Sequence, residues 1–225
     1  LTSDLERKAR TFASEIQDLL NGTICSNVGI KAVSRITRDH GPIFTLGSGL
    51  SRSNLTQPEG FPVRIDPKKP RMWMNLSYQV RMDDERRYLM VHSSYCAVFS
   101  DAALEECLCH FDYERDKPDG YPEAHLQVHG QSHALDALNR GSDIGRPLEK
   151  LHFPVGGRRL RPCLEDVIEF LVVERLADAR EGHEKLLEVS RARFQRNQLK
   201  AAMRRNPEVV EEFLREQEAS PTRQY

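Results

Sequence analysis

Apolar and polar residues alternate most cleanly between Met72 and Val80. Met72, Met74, Leu76, Tyr78 and Val80 fall on one side of an extended chain, and Trp73, Asn75, Ser77 and Gln79 on the other. A period of two with one greasy side predicts a strand that buries one face and leaves the other polar. "RRYLMVHSSYCAVF" follows after the polar turn "MDDER" and is apolar on both faces around His92. It predicts the second strand of a hairpin, lying centrally in a sheet. "EECLCHFDYE" and "EAHLQVHG" predict a further hairpin across "RDKPDGYP", and "IKAVSRITRD" and "PIFTLGS" a pair around "DHGP". "GSGLSRSNLTQPEGFP" reads as an exposed loop.

The period changes to that of a helix at the two ends of the chain. Leu5, Ala9, Phe12, Ile16 and Leu19 recur at helical spacing behind a capping box of Ser3 and Glu6, with Asn21-Gly22 as the stop. Near residue 162 a second helix opens, with Pro162 in its first turn and Glu165 and Asp166 at its positive end. Val167, Ile168, Phe170, Leu171 and Leu176 make it a core helix. The remainder is helical and charged, interrupted at "EGH" and at Asn206-Pro207. These patterns predict an α+β fold. It has an N-terminal helix, a mostly antiparallel sheet of five to seven strands and a helical C-terminal extension. The expected division is a core domain over 1–179 and an extension over 180–225, with a linker near "NRGSDIGRP".

Composition narrows the class. Of 225 residues, 33 are Lys or Arg and 34 are Asp or Glu, so no global field draws the chain to nucleic acid or to an anionic membrane. The longest apolar run, "VIEFLVV", is far too short to span a bilayer. The charged opening residues do not make the apolar centre of a signal peptide. Five scattered cysteines, an odd number, read as reduced thiols of a cytoplasmic protein.

Candidate chemistry gathers in the second hairpin. As a strand, "AHLQVHG" puts His125 and His129 on one face, and the partner strand offers His110 and Asp112 to the same face in a suitable register. Imidazoles with a carboxylate suit zinc, manganese or iron and hydrolytic chemistry, most readily on a phosphodiester. The competing reading is the solvated polar face of a half-buried sheet. His133 lies beyond Gly130 and leaves the strand. Cys107-x-Cys109 lacks a second ligand pair, and both thiols are expected on the core face. "LGSGLS" matches neither a phosphate loop nor a nucleophile elbow.

Two basic stretches offer another role. Arg158, Arg159 and Arg161 precede the second core helix, a position that can receive phosphate. Arg191, Arg193, Arg196 and Lys200 lie on a helix without intervening acids, suited to a protein partner or a nucleic-acid backbone. A solvated helix pairing with the acids of "NPEVVEEFLREQE" competes with this.

The block "LHFPVGGRRLRPCLEDVIEFLVVE" with "SRARFQRNQLKAAMRRNPEVVEEFL" resembles a group of uncharacterised bacterial proteins of high-GC, actinobacterial-type organisms, over the C-terminal third. The resemblance implies a bacterial cytoplasmic protein, encoded among mobile or defence-associated genes, and carries no functional residue. The leading expectation is therefore a cytoplasmic binding protein without a cofactor. It would belong to a defence or toxin–antitoxin type assembly. Its basic C-terminal helices would meet a protein partner, a second copy of the chain or nucleic acid, with no membrane involved. The alternative is a zinc- or manganese-dependent phosphodiesterase or nuclease using His110, Asp112, His125 and His129.

Overall fold

A computed structural model of the chain describes residues 3–39, 41–63, 72–117, 122–133, 148–156 and 162–219. Helix α1 (Asp4–Thr23) starts where Ser3 Oγ accepts the Glu6 N–H, and buries Leu5, Ala9, Ala13, Ile16, Leu19 and Leu20. Its stop comes after Thr23, one residue beyond Asn21-Gly22, with the Ile24 N–H still donating to Leu20 O.

Eight strands follow in one sheet: β1 (Lys31–Thr37), β2 (Gly41–Gly47), β3 (Phe61–Val63), β4 (Met72–Met82), β5 (Leu89–Phe99), β6 (Cys107–Glu114), β7 (Ala124–Val128) and β8 (Phe153–Pro154). Their order is β1-β2-β4-β5-β6-β7-β8, with β3 also on β4, and every pairing is antiparallel. The fold is α+β, as the alternation predicts. The short strand expected in "LHFPVGG" is β8, and the sheet exceeds the expected five to seven strands because β3, with only three residues, is too short to show a period.

Chain order and burial divide the sheet into two faces. Met72, Met74, Leu76, Tyr78 and Val80 join Cys96, Val98, Cys109 and Phe111 under the helices, the main apolar core. Helix α2 (Leu164–Val173) adds Val167, Ile168 and Leu171, while Phe170 points outward. Helices α3 (His183–Arg205) and α4 (Pro207–Ala219) complete the described chain. The first half of α3 lies on the core. Leu187 is part of the main cluster, and an added Cβ at Gly22 of α1 would meet Leu186 Cδ2 at 2.5 Å, so glycine there permits the close crossing.

Arg180 ties these layers together. Its Nε donates to Asn21 O at 2.8 Å, and Nη2 donates to Cys25 O at 3.2 Å and to Ser26 Oγ at 2.8 Å. The cation thereby caps the negative end of α1 from a point about 160 residues away in sequence.

The segment between β2 and β3 is less exposed than its composition suggests. Leu50 within it is fully buried, and Asn75 on β4 donates to Pro58 O at 2.7 Å. The linker near "NRGSDIGRP" lies outside the described residues. Among the described residues no helix is long and apolar enough to cross a membrane.

Candidate metal centre

The face of the sheet away from the helices carries the histidines. Antiparallel registers place Tyr95, Asp112 and His125 side by side across β5, β6 and β7, with Ala97, His110 and Gln127 in the next row. Cross-strand neighbours share a face, so the register brings together what alternation alone could only align. His110, Asp112 and His125 offer ligand atoms within 4.8 Å of one another. A second group, Cys107, His110 and His129, meets the same distance and shares His110.

Hydrogen bonds set the tautomers. His125 is 1% exposed, and its Nδ1 lies 3.2 Å from Pro122 O. A carbonyl only accepts, so Nδ1 carries a proton, and Nε2 is the nitrogen turned to the rest of the cluster. That Nε2 faces Asp112 Oδ2 at 3.8 Å, too far for a hydrogen bond. His110 is oriented in a similar way. The Gln127 amide donates to Glu149 O at 3.2 Å and so turns its oxygen to His110 Nε2 at 2.8 Å. His110 Nε2 donates there, and its Nδ1 accepts from His129 Nε2 at 3.2 Å. Such outer contacts, a carbonyl or amide oxygen on the far ring nitrogen, hold metal-binding imidazoles in place.

Ionisation fits the same picture. Burial is the main influence on His110 and pulls its pKa below the usual imidazole value, keeping the ring neutral. Tyr95, whose ring lies 5.3 Å from that of His110, has its phenol pushed up to about 12 by burial and then by Cys107, Asp112 and Cys96. It stays a protonated donor beside the site. His152 meets His125 edge-on at 4.6 Å. Asp112 keeps 34% of its side chain exposed, giving the cluster one open side.

Cys107 departs from the sequence reading. Cys107 pairs with Phe99 and Cys109 with Val98, which leaves Leu108 as the extra residue of a β-bulge. The bulge breaks the alternation. Cys109 stays with the core, and Cys107 emerges beside His110 and His129. Its thiol is raised by burial and donates to Cys109 O at 3.6 Å. His133 is exposed beyond the strand and joins neither group.

The chain matches no protein-family model, no curated protein and no solved structure. The site must therefore be read from its own geometry.

The basic helix is partly committed within the fold. Arg191 donates to Asp166 Oδ1 at 3.0 Å and to Glu169 Oε2 at 2.7 Å, both on α2. Arg193 donates to Glu15 Oε1 of α1 at 2.9 Å. These acids come from α1 and α2, not from "NPEVVEEFLREQE" as local sequence suggests. Arg196 and Lys200 are exposed and make no ion pair among the described residues. Arg158, Arg159 and Arg161 lie outside the described residues.

Proposed function

We propose that the protein is a metal-dependent hydrolase whose centre is formed by His110, Asp112 and His125. The observation that carries this reading is the meeting of His125 Nε2 with Asp112 Oδ2 at 3.8 Å. With Nδ1 donating to the Pro122 carbonyl, Nε2 is the ring nitrogen turned to the carboxylate, in a place where His125 has no access to water. A cation between them would bind both, since zinc bonds of about 2.1 Å set two ligands of one ion about 3.4 Å apart. His110 would bring Nδ1 to the ion in exchange for its bond from His129; two imidazoles and one carboxylate then suit zinc or manganese, and three protein ligands leave a coordination position open.

An ion held there supplies Lewis acidity. The chain's own contributions are orientation and donation. The Pro122 carbonyl and the Gln127 amide hold the rings, and the protonated Tyr95 phenol is a donor at the edge of the site. A phosphodiester is the substrate class expected from the sequence. The test is hydrolysis of bis(p-nitrophenyl) phosphate by protein loaded with zinc or manganese. Loaded wild type should turn over, and Asp112→Ala, with an unchanged circular dichroism spectrum, should lose about 100-fold or more. Equal rates in the two proteins would reject the assignment.

A second reading, a binding protein meeting partners through its C-terminal helices, is supported by a separate observation. Leu199 and Met203 of α3 and Val209, Phe213 and Leu214 of α4 are all exposed by 45% or more. Such apolar positions favour a protein contact over nucleic acid. Sedimentation equilibrium of wild type and Phe213→Glu checks it. Concentration-dependent association lost in the variant supports the contact, and a monomer throughout argues against a self-contact.

A further inference from the structure

A large cleft lies on the helix side of the sheet, away from the histidines. It has a volume of about 890 Å³ and is walled by α1, the tip of the β4–β5 hairpin and α3. The volume falls within the range of small-molecule sites. Its floor is apolar, with Phe12, Ile16, Leu19, Tyr78 and Leu164. Phe12 packs edge-on to Tyr78 with ring centres 5.4 Å apart, so the floor is braced by the core.

The rim is cationic. Nine basic and six acidic side chains line the cleft; of the basic ones, Arg7 and Lys8 pair with Asp4, and Arg81, Arg87 and Arg193 pair with the cleft's own acids. Several of the acids are already engaged. Glu15 pairs with Arg193, Asp84 with Arg81, and Glu85 with Arg87. Asp83 accepts the backbone N–H groups of Arg87 and Tyr88 at 2.6 and 2.8 Å, and Glu165 accepts from Ser190. On the cationic side, Lys200 and Arg205 make no ion pair and no side-chain hydrogen bond among the described residues. Arg204 lies over the Tyr88 ring, its guanidinium carbon 3.9 Å from the centroid, a cation–π contact at the cleft.

Uncommitted cations above an apolar floor fit a ligand with an anionic head and an apolar or aromatic body. We propose that this cleft binds a phosphate ester of mononucleotide size, its phosphates at Lys200 and Arg205 and its body over Phe12 and Leu164. The cleft and the histidine centre are on opposite faces, so the two assignments stand or fall separately. Phosphate is favoured as the head group because guanidinium and ammonium together suit its several oxygens.

Isothermal titration of the full chain with ADP tests this, in buffer with EDTA so that no metal at the histidines contributes. ADP should bind with a dissociation constant below about 1 mM, and adenosine and inorganic pyrophosphate should each bind about tenfold more weakly. Affinity should fall with added salt. The double variant Lys200→Glu, Arg205→Glu, with a wild-type melting curve, should lose binding about tenfold or more, while His125→Ala should keep it. The outcomes that overturn the proposal are absence of ADP binding, wild-type affinity in the double variant, or tighter binding of oligo-dT than of ADP. The last would make the surface a path for a strand and not a site for a small ligand.

Discussion

Replacing Arg180 by Met keeps most of the aliphatic stem and removes the guanidinium. Three hydrogen bonds disappear, two of them to carbonyls at the end of α1. Cys25, which supplies one of these carbonyls, is fully buried, so water cannot simply take the place of the lost donor. Hydrogen bonds to charged groups contribute about 1.5–3 kcal/mol each. Arg180 is only partly buried and its three bonds act together, so the expected total loss is about 2–4 kcal/mol. For a chain of this length that is a fall in melting temperature of roughly 4–16 °C. Urea denaturation followed by circular dichroism measures it directly. The variant should also loosen α3 against α1, seen as faster amide exchange at Leu186 and Leu187. A change in stability below about 0.5 kcal/mol would refute the view that Arg180 locks the segment before α3 to the end of α1.

Three further perturbations are informative. Asp101 accepts the N–H groups of Glu105 and Glu106, and the bond from Glu106 is the main cause of its lowered pKa. Its stabilising effect is present above the ordinary value of 3.8 and disappears as pH falls through the lower folded value. The stability gap between wild type and Asp101→Asn should therefore close on acidification, read from urea midpoints at stepped pH. Gly47→Ala would set a Cβ 2.7 Å from Pro58 Cβ and 3.0 Å from Leu76 O, neither of which can swing aside; a loss of about 1–3 kcal/mol is expected in the same assay. Burial pushes the Cys25 and Cys96 thiols up to about 12, so these two buried residues should react with a disulfide reagent at neutral pH only as fast as the protein unfolds, timed by stopped-flow absorbance.

How far the sequence reveals this molecule depends on the range of the interaction. The β4 alternation from Met72 to Val80 is legible because a sheet with one buried face imposes its period residue by residue. The shared face of His125 and His129 follows from the same rule. That Asp112 stands opposite His125 does not, because register is a property of two strands and the connection between them. Alternation alone puts Cys107 on the core face, but a single extra residue, Leu108, resets it, and nothing local marks the bulge. Arg180, Arg191 and Arg193 look alike in a charged stretch, yet each is held by groups distant in sequence. The cleft is the most remote from sequence of all, since its walls come from both ends of the chain.

The metal content of the chain after exposure to zinc and gel filtration, read by elemental analysis, addresses the histidine centre with the fewest assumptions. Wild type and Cys107→Ser should each retain about one ion per chain, and His125→Ala should retain less than about one tenth of that with its fold intact. Loss of zinc from Cys107→Ser with retention in His125→Ala would move the centre to the Cys107, His110 and His129 group, and absence of bound metal from wild type would leave these histidines as an ordinary hydrogen-bonded sheet face.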